Sequence, residues 1–325
     1  MVRRLLVTGA NGFVGRSLCG AALSKGWQVR GAVRSLDVKN QLHSEVDTVI
    51  VDGVGPDTEW DEALEGVDTV VHLAARVHVM RETASDPLRD FRIINTDGTV
   101  HLARMAAAAG VRRFLFLSTI GVNGKATLNK PFSEQDVPQP HNAYAVSKLE
   151  AEIRLHDLST QSGMEVIIVR PPLVYGPGNP GNFLKLLNLV SKQLPLPLES
   201  VRNNRSLIYL ENLVDALITC ISRPEAAGNT YLVSDGDDVS TPELIRKIAV
   251  GFGIAANLFP FPVYLLRLAG KVIGRTSAVN QLIGTLTVDS RKIRNELGWE
   301  PPFTMEQGLQ KTAEWYHNQQ KTMRP

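Results

Sequence analysis

The 325-residue sequence has only two cysteines, Cys19 and Cys220. Two thiols so far apart make no disulfide framework, which fits a reducing compartment and two small core residues. Long apolar runs are missing as well. The most apolar late stretch, 258–273, is broken by Pro260, Pro262, Arg267 and Lys271, and so falls short of the roughly 20 residues a membrane span needs. A packed helix is expected there, with an interfacial contact as the alternative. Charge of one sign is not in excess: 35 Lys and Arg face 33 Asp and Glu, a formal net charge of +2. No global field therefore singles out nucleic acid or an anionic membrane. The seven histidines form no HxxH or HxxxH pair and lie near neither cysteine, so no metal site is expected. "MVRRLLVTGANG" reaches glycine before building an apolar run of signal-peptide length, and a cytoplasmic location is the expectation.

What is present is alternation. "RRLLVTGANGFVG" begins with a short apolar run, Leu5 to Val7, turns on glycine and continues into a helix with Val14, Leu18 and Ala21 on one face. "QVRGAV", "DTVIV" and "DTVVHLAA" read as further strands, "IINTDGTVHLARMAAAAG" as a helix closed by Gly110, and "RFLFLST" as another buried strand. Strands alternating with helices predict an α/β fold of Rossmann type, a doubly wound parallel sheet covered on both faces. After "MEVIIVRPP" the chain meets Pro177, Pro180, Pro195 and Pro197. The expected division is a dinucleotide-binding domain over 1–170 and a smaller, mainly substrate-binding lobe over 171–325. Parts of about 205–235, "RSLIYLENLVDALITC" and "TYLVSD", are expected to rejoin the first sheet.

"TGANGFVG" places Gly9, Gly12 and Gly15 between the first strand and its helix. The first glycine permits the tight turn, the second lets backbone approach a pyrophosphate, and the third lets helix pack on strand. Asn11, Phe13 and Val14 complete this cofactor-binding turn, whose free amides face the diphosphate. At the end of the second strand an acid normally meets the adenosine 2′-hydroxyl of NAD, but this sequence has Arg34. A guanidinium pairs with a 2′-phosphate, so NADP(H) is expected over NAD(H). Asp52, after the third strand, is placed to reach the adenine.

"AYAVSKLE" sets Tyr144 and Lys148 four residues apart, on one helical face. Such a pair alone is common on solvated helices. Taken with "TGANGFVG", "HLAA", "STIGVNG" and "RPPLVYGPG", it resembles the extended short-chain dehydrogenases/reductases, the nucleotide-sugar epimerase/dehydratase family, and the likeness runs on to "DSRKIRNELGW". The resemblance implies that Tyr144 is the general acid/base and that Lys148 lowers its pKa and holds the nicotinamide ribose. Free tyrosine ionises near ~10, and a neighbouring ammonium with an oxidised nicotinamide favours the phenolate. Thr119 falls at the family's Ser/Thr that binds the reacting sugar oxygen, with Ser118 as the alternative register. Leu73, Ala74, Ala75 and Pro171 are implied to border the cofactor, and Asn95 to support the site. His72 reads as a core histidine. Asn182 and Arg205, and more weakly Arg291, are implied to bind the nucleotide diphosphate of a small-molecule substrate.

The family's 4,6-dehydratases follow their threonine with an aspartate and a glutamate. Here Ile120 and Gly121 follow Thr119, so dehydration is not expected. Two enzyme readings stand. The favoured one is reduction of the C4 keto group of a UDP-4-keto-6-deoxy-N-acetylhexosamine for surface polysaccharide. The other is a UDP-hexose or UDP-N-acetylhexosamine 4-epimerase with tightly held NAD, although Asn123 replaces a tyrosine common in epimerases. A non-catalytic NADP-sensing regulator on the same fold ranks below both, because the Tyr144 and Lys148 pair is kept. A homodimer is expected by family analogy.

Overall fold

The computed structural model describes residues 3–35, 42–77, 86–274 and 276–322. In chain order the strands are β1 (Arg4–Thr8), β2 (Gln28–Val33), β3 (Asp47–Ile50), β4 (Thr69–His72), β5 (Arg113–Leu117), β6 (Glu165–Arg170), β7 (Leu173–Tyr175), β8 (Leu207–Tyr209) and β9 (Thr230–Leu232). The main sheet runs β3-β2-β1-β4-β5-β6-β9, with every pairing parallel. Strand order reverses between β1 and β4, the place where such sheets open a crevice for ligands at their carboxyl edge.

Both sheet faces are buried, which is why the strands read as continuous apolar runs. Leu5, Val7, Val71 and Leu115 face one layer, formed by α1 (Phe13–Ser24) and later by α7 (Leu210–Ser222). Leu6, Val70, Phe114 and Phe116 point to the opposite layer. That layer holds α2 (Asp61–Leu64), α4 (Thr99–Ala108) and α5 (Ala143–Ser162). The helix expected from residue 93 starts earlier, as α3 (Pro87–Phe91), because Asp86 caps it by accepting from the Arg89 amide at 3.1 Å and proline occupies its first turn. A π-helical segment, Arg92–Gly98, then joins α3 to α4.

A second core gathers Tyr175, Phe183, Tyr209, Ile245 and Leu309. It is built from α6 (Asn182–Ser191), β7, β8, α8 (Thr241–Gly251), α9 (Val263–Val272), α10 (Thr276–Ile283) and α12 (Met305–Thr322), while α11 (Arg291–Leu297) packs on the first core. Within 205–235, β9 joins the main sheet and α7 packs on it, while β8 lies outside that sheet with Ile208 in the first core. It pairs with β7 apart from the main sheet, and Tyr175 and Tyr209 turn both strands toward the second core.

Buried Arg113 locks α7 in place. Its Nη1 donates to the carbonyls of Cys220 at 3.0 Å, Ile221 at 2.6 Å and Arg223 at 3.0 Å, while Glu165 balances its charge. A guanidinium here satisfies helix-end carbonyls that would otherwise be orphaned. Cys19 and Cys220 are free and buried, and burial pushes both thiols up to about 12.

Candidate active site

Parallel strands all end at one sheet edge, so Gly9 after β1, Leu73 after β4, Thr119 beyond β5 and Pro171 after β6 meet there. The glycine turn is packed too tightly for side chains. Gly9 has φ +67°, and a Cβ on it would lie 3.0 Å from the Ala74 nitrogen. On Gly15 a Cβ would lie 2.1 Å from the Gly9 carbonyl oxygen and 2.7 Å from that of Ala10. The α1 N-terminus takes no side-chain cap from Gly12, leaving its first-turn amides, Phe13 and Val14 among them, open toward an anion. A backbone cradle at a helix N-terminus fits a dinucleotide's diphosphate.

His72 is fully buried beneath this turn. Its Nε2 meets Thr99 Oγ1 at 2.9 Å and its Nδ1 meets Thr8 Oγ1 at 2.7 Å. Thr99 gives its own proton to the Asn95 carbonyl, so Nε2 carries the ring hydrogen and Nδ1 accepts from Thr8, which accepts in turn from the Ala74 amide. Burial and nearby Lys148 lower His72 to about 3. A neutral imidazole here holds β4 to β1 and does no proton transfer.

Asn142 starts α5 by accepting from the Ala145 amide at 2.8 Å. That cap puts Tyr144 in the first turn and Lys148 one turn deeper. The backbone between them is pinned from the π-helical segment: Thr96 Oγ1 donates to the Ser147 carbonyl at 2.9 Å, and Asn95 Nδ2 to Ser147 Oγ at 3.1 Å. Asn95 also exchanges bonds with the Arg76 backbone. Tyr144 is half-buried, its ring edge-on to Phe91 with centroids 6.1 Å apart. Lys148 is buried, with Nζ 3.8 Å from the Phe116 ring centroid.

Hydrogen bonding distinguishes the two hydroxyls at the end of β5. Ser118 is buried and its hydroxyl donates to Glu152. Thr119 is half-buried, and among the described residues its Oγ1 accepts the Gly121 amide at 3.1 Å and gives its proton to no partner. Sequence reading missed what lies behind Ser118. Glu152 forms a buried ion pair with Arg170, whose Nη1 donates 2.9 Å to Asn123 Oδ1, and Asn123 in turn donates to the Ser133 carbonyl. The one local sign is that Tyr144, Lys148 and Glu152 follow at four-residue spacing, so they share a helix face, but nothing in that spacing points to Arg170. Asn123 is thus part of the scaffold.

Burial pushes the Tyr144 phenol up to about 12. Burial lowers Lys148 from the ordinary lysine value of 10.5 to about 7, and Glu152 opposes that fall. The chain alone therefore holds a neutral phenol. Because the folded state releases the Lys148 proton more readily than the unfolded state, this lysine weakens the fold fully below pH 7, and stability recovers as pH rises from about 7 toward 10.5. A Lys148→Met variant is expected to melt higher than the parent at pH 7, with the gap closing by pH 10 and turnover lost. Thermal unfolding at the two pH values checks this, and a pH-independent gap would contradict it.

Across the cleft, exposed Asn182 donates 3.1 Å to Gln281 Oε1. Arg205 donates through Nη1 to the Gln281 carbonyl at 2.7 Å and the Gly284 carbonyl at 3.2 Å. Its guanidinium takes no carboxylate partner among the described residues, and burial lowers its pKa. Asn182 and Arg205 are thus brought together through α10. Arg291 is not. It is exposed and forked onto Asp289, with Nε 2.9 Å from both carboxylate oxygens.

Residues 5–234 match the family described as the NAD dependent epimerase/dehydratase family. The chain belongs to that family. Among its relatives, a UDP-glucose 4-epimerase from Vibrio cholerae is 42% identical, over 97% of this chain and 95% of its own. Two solved structures share the fold. A UDP-glucuronic acid 4-epimerase from Bacillus cereus has a TM-score of 0.78 at 20% identity, covering 97% of this chain and 99% of its own. A dTDP-glucose 4,6-dehydratase from Bacillus anthracis has a TM-score of 0.74 at 21%, covering 98% of each. Both hold NAD, and that overturns the expectation of NADP. The physical weakness of that expectation is plain in the fold. Arg34 is a single exposed cation just past β2. The Val51 amide bonds the Val33 carbonyl at 2.9 Å, so Asp52 brings a carboxylate to the same sheet end, where it disfavours a 2′-phosphate. Residues 36–41, which follow Arg34, lie outside the described set.

Proposed function

We propose that the protein is a 4-epimerase of a UDP-hexose or UDP-N-acetylhexosamine that works with tightly held NAD. The observation that carries the reading is the group formed by Tyr144, Lys148 and Thr119 at the carboxyl edge of the sheet, beside the glycine cradle. Positions 120 and 121, buried Ile120 and Gly121, bear no acid or base, which supports chemistry limited to one hydroxyl. The 42% identical relative named as a UDP-glucose 4-epimerase favours epimerisation over the 4-keto reduction that the sequence alone favours.

In this reading Thr119 Oγ donates to the sugar's C4 oxygen and holds it toward Tyr144. Tyr144 Oη takes the hydroxyl proton and returns it after the keto sugar has turned over. Lys148, whose pKa burial lowers toward neutrality, stabilises the phenolate and anchors the ribose. Bound NAD would supply the hydride acceptor and donor for C4 and a positive ring charge that would draw the phenol down from its raised value. Arg205 and Asn182 hold the diphosphate. A half-buried cation without a carboxylate partner among the described residues supports that role.

The test is to incubate the protein with UDP-glucose, and separately with UDP-N-acetylglucosamine, without added reductant and to follow the sugars by NMR. Interconversion of C4 epimers is expected. A chain that is inert to both and consumes reductant with a 4-keto UDP-sugar would be a reductase instead.

A further inference from the structure

Charge is nearly balanced over the chain, but not along it. From 244 to 288 there is no aspartate or glutamate, while Arg246, Lys247, Arg267, Lys271 and Arg275 fall within the span. Arg246 pairs with Glu199 and Lys247 with Glu306. Arg267 and Lys271, both on α9, enter no ion pair among the described residues. The helix is also the place where large apolar side chains meet solvent. Tyr264 is 70% exposed, Leu268 57% and Val272 78%. Their four-residue spacing makes one outward stripe, with Arg267 and Lys271 along its flank. The opposite face is occupied, since Val263 and Leu266 pack into the second core with Val279 and Leu282 of α10. The packed helix expected for this stretch is thus packed on one side only.

We propose that α9 docks the protein on an anionic lipid surface, laying Tyr264, Leu268 and Val272 into the interface with Arg267 and Lys271 against the headgroups. An apolar stripe bordered by cations is the pattern of helices that lie in the plane of a bilayer, and long basic side chains keep their charge at the headgroup level while their stems pack on the apolar face. An aromatic phenol at one end of the stripe suits the same boundary. A second copy fits less well. A two-fold contact would bring the same cations of both copies together with no acid in the segment to answer them. The whole-chain charge conceals this feature because acids elsewhere cancel it. Docking would hold α10, and with it the Gln281 contact to Asn182 and Arg205, beside the membrane. The inference does not depend on the proposed reaction, and its test does not use turnover.

The experiment is flotation of the full chain with vesicles of phosphatidylcholine alone and of phosphatidylcholine containing phosphatidylglycerol. Each cation at an anionic surface contributes roughly a fivefold gain, so two should give binding about 25-fold tighter to the anionic vesicles. That preference should weaken as salt rises. A Leu268→Glu, Val272→Glu double variant should lose binding with its circular dichroism and melting temperature unchanged, and Arg267→Ala with Lys271→Ala should lose the anionic preference. No binding, equal binding to both vesicles, or binding that survives the two glutamates would overturn the proposal. So would an oligomer that the glutamate variant converts to monomer, since a second copy would then be what covers the stripe.

Discussion

Replacing Tyr144 by phenylalanine is expected to lower epimerisation by about 10²–10⁴-fold, the usual contribution of a positioned acid/base, while melting temperature and NAD binding stay near the parent's. The fold should tolerate the change because the ring that packs edge-on to Phe91 is kept, and the segment is held by Asn142 and Thr96 through backbone contacts and by Asn95 through the Ser147 hydroxyl. Steady-state kinetics with NAD binding followed in parallel separates the two effects. Undiminished turnover in the variant would remove Tyr144 from the chemistry. Loss of NAD binding together with activity would make it a structural residue.

Truncating Glu152 to alanine should bring the largest loss of stability. Arg170 would then lie buried with its charge uncompensated, and breaking a buried pair in this way typically costs about 3–5 kcal/mol. Ser118 would lose its acceptor at the same time, while Asn123 would keep the bond from Arg170 Nη1. Urea unfolding followed by circular dichroism reads the change as a lower midpoint. Glu152→Gln keeps the shape and should cost much less in stability, yet it removes the negative charge that opposes the fall in the Lys148 pKa. Its pH–rate profile should therefore shift further toward an uncharged lysine. A Glu152→Ala variant within about 1 kcal/mol of the parent would mean that Arg170 finds solvent or another partner, contrary to its burial.

The main sheet was legible because parallel strands bury both faces and leave short apolar runs that alternate with helical periodicity. Gly9, Gly12 and Gly15 were legible because the turn's chemistry is written in missing side chains, and the close contacts to Ala74, Gly9 and Ala10 give the reason. Thr119 against Ser118 was not legible, since one residue of register at a strand end decides which hydroxyl faces the cleft. Only the buried Glu152 partner settles where Ser118 points. The Glu152–Arg170 pair was hidden for a related reason: long-range pairing between α5 and the end of β6 leaves no local pattern beyond a four-residue spacing. The pairing of β8 with β7 depends on tyrosines that face a core formed by distant helices. The cofactor preference failed because it rested on one exposed side chain, Arg34, whereas the sheet end also carries Asp52 from the next strand.

The proposed epimerisation requires that one hydride leave the sugar's C4 carbon and return to it within the same site. Incubating the protein with UDP-glucose carrying deuterium at C4, and examining the epimerised sugar by mass spectrometry and NMR, tests this directly. Deuterium is expected to be kept at C4 in the product, with no stoichiometric reductant consumed. Loss of the label, or product that forms only as added reductant is used up, would contradict it.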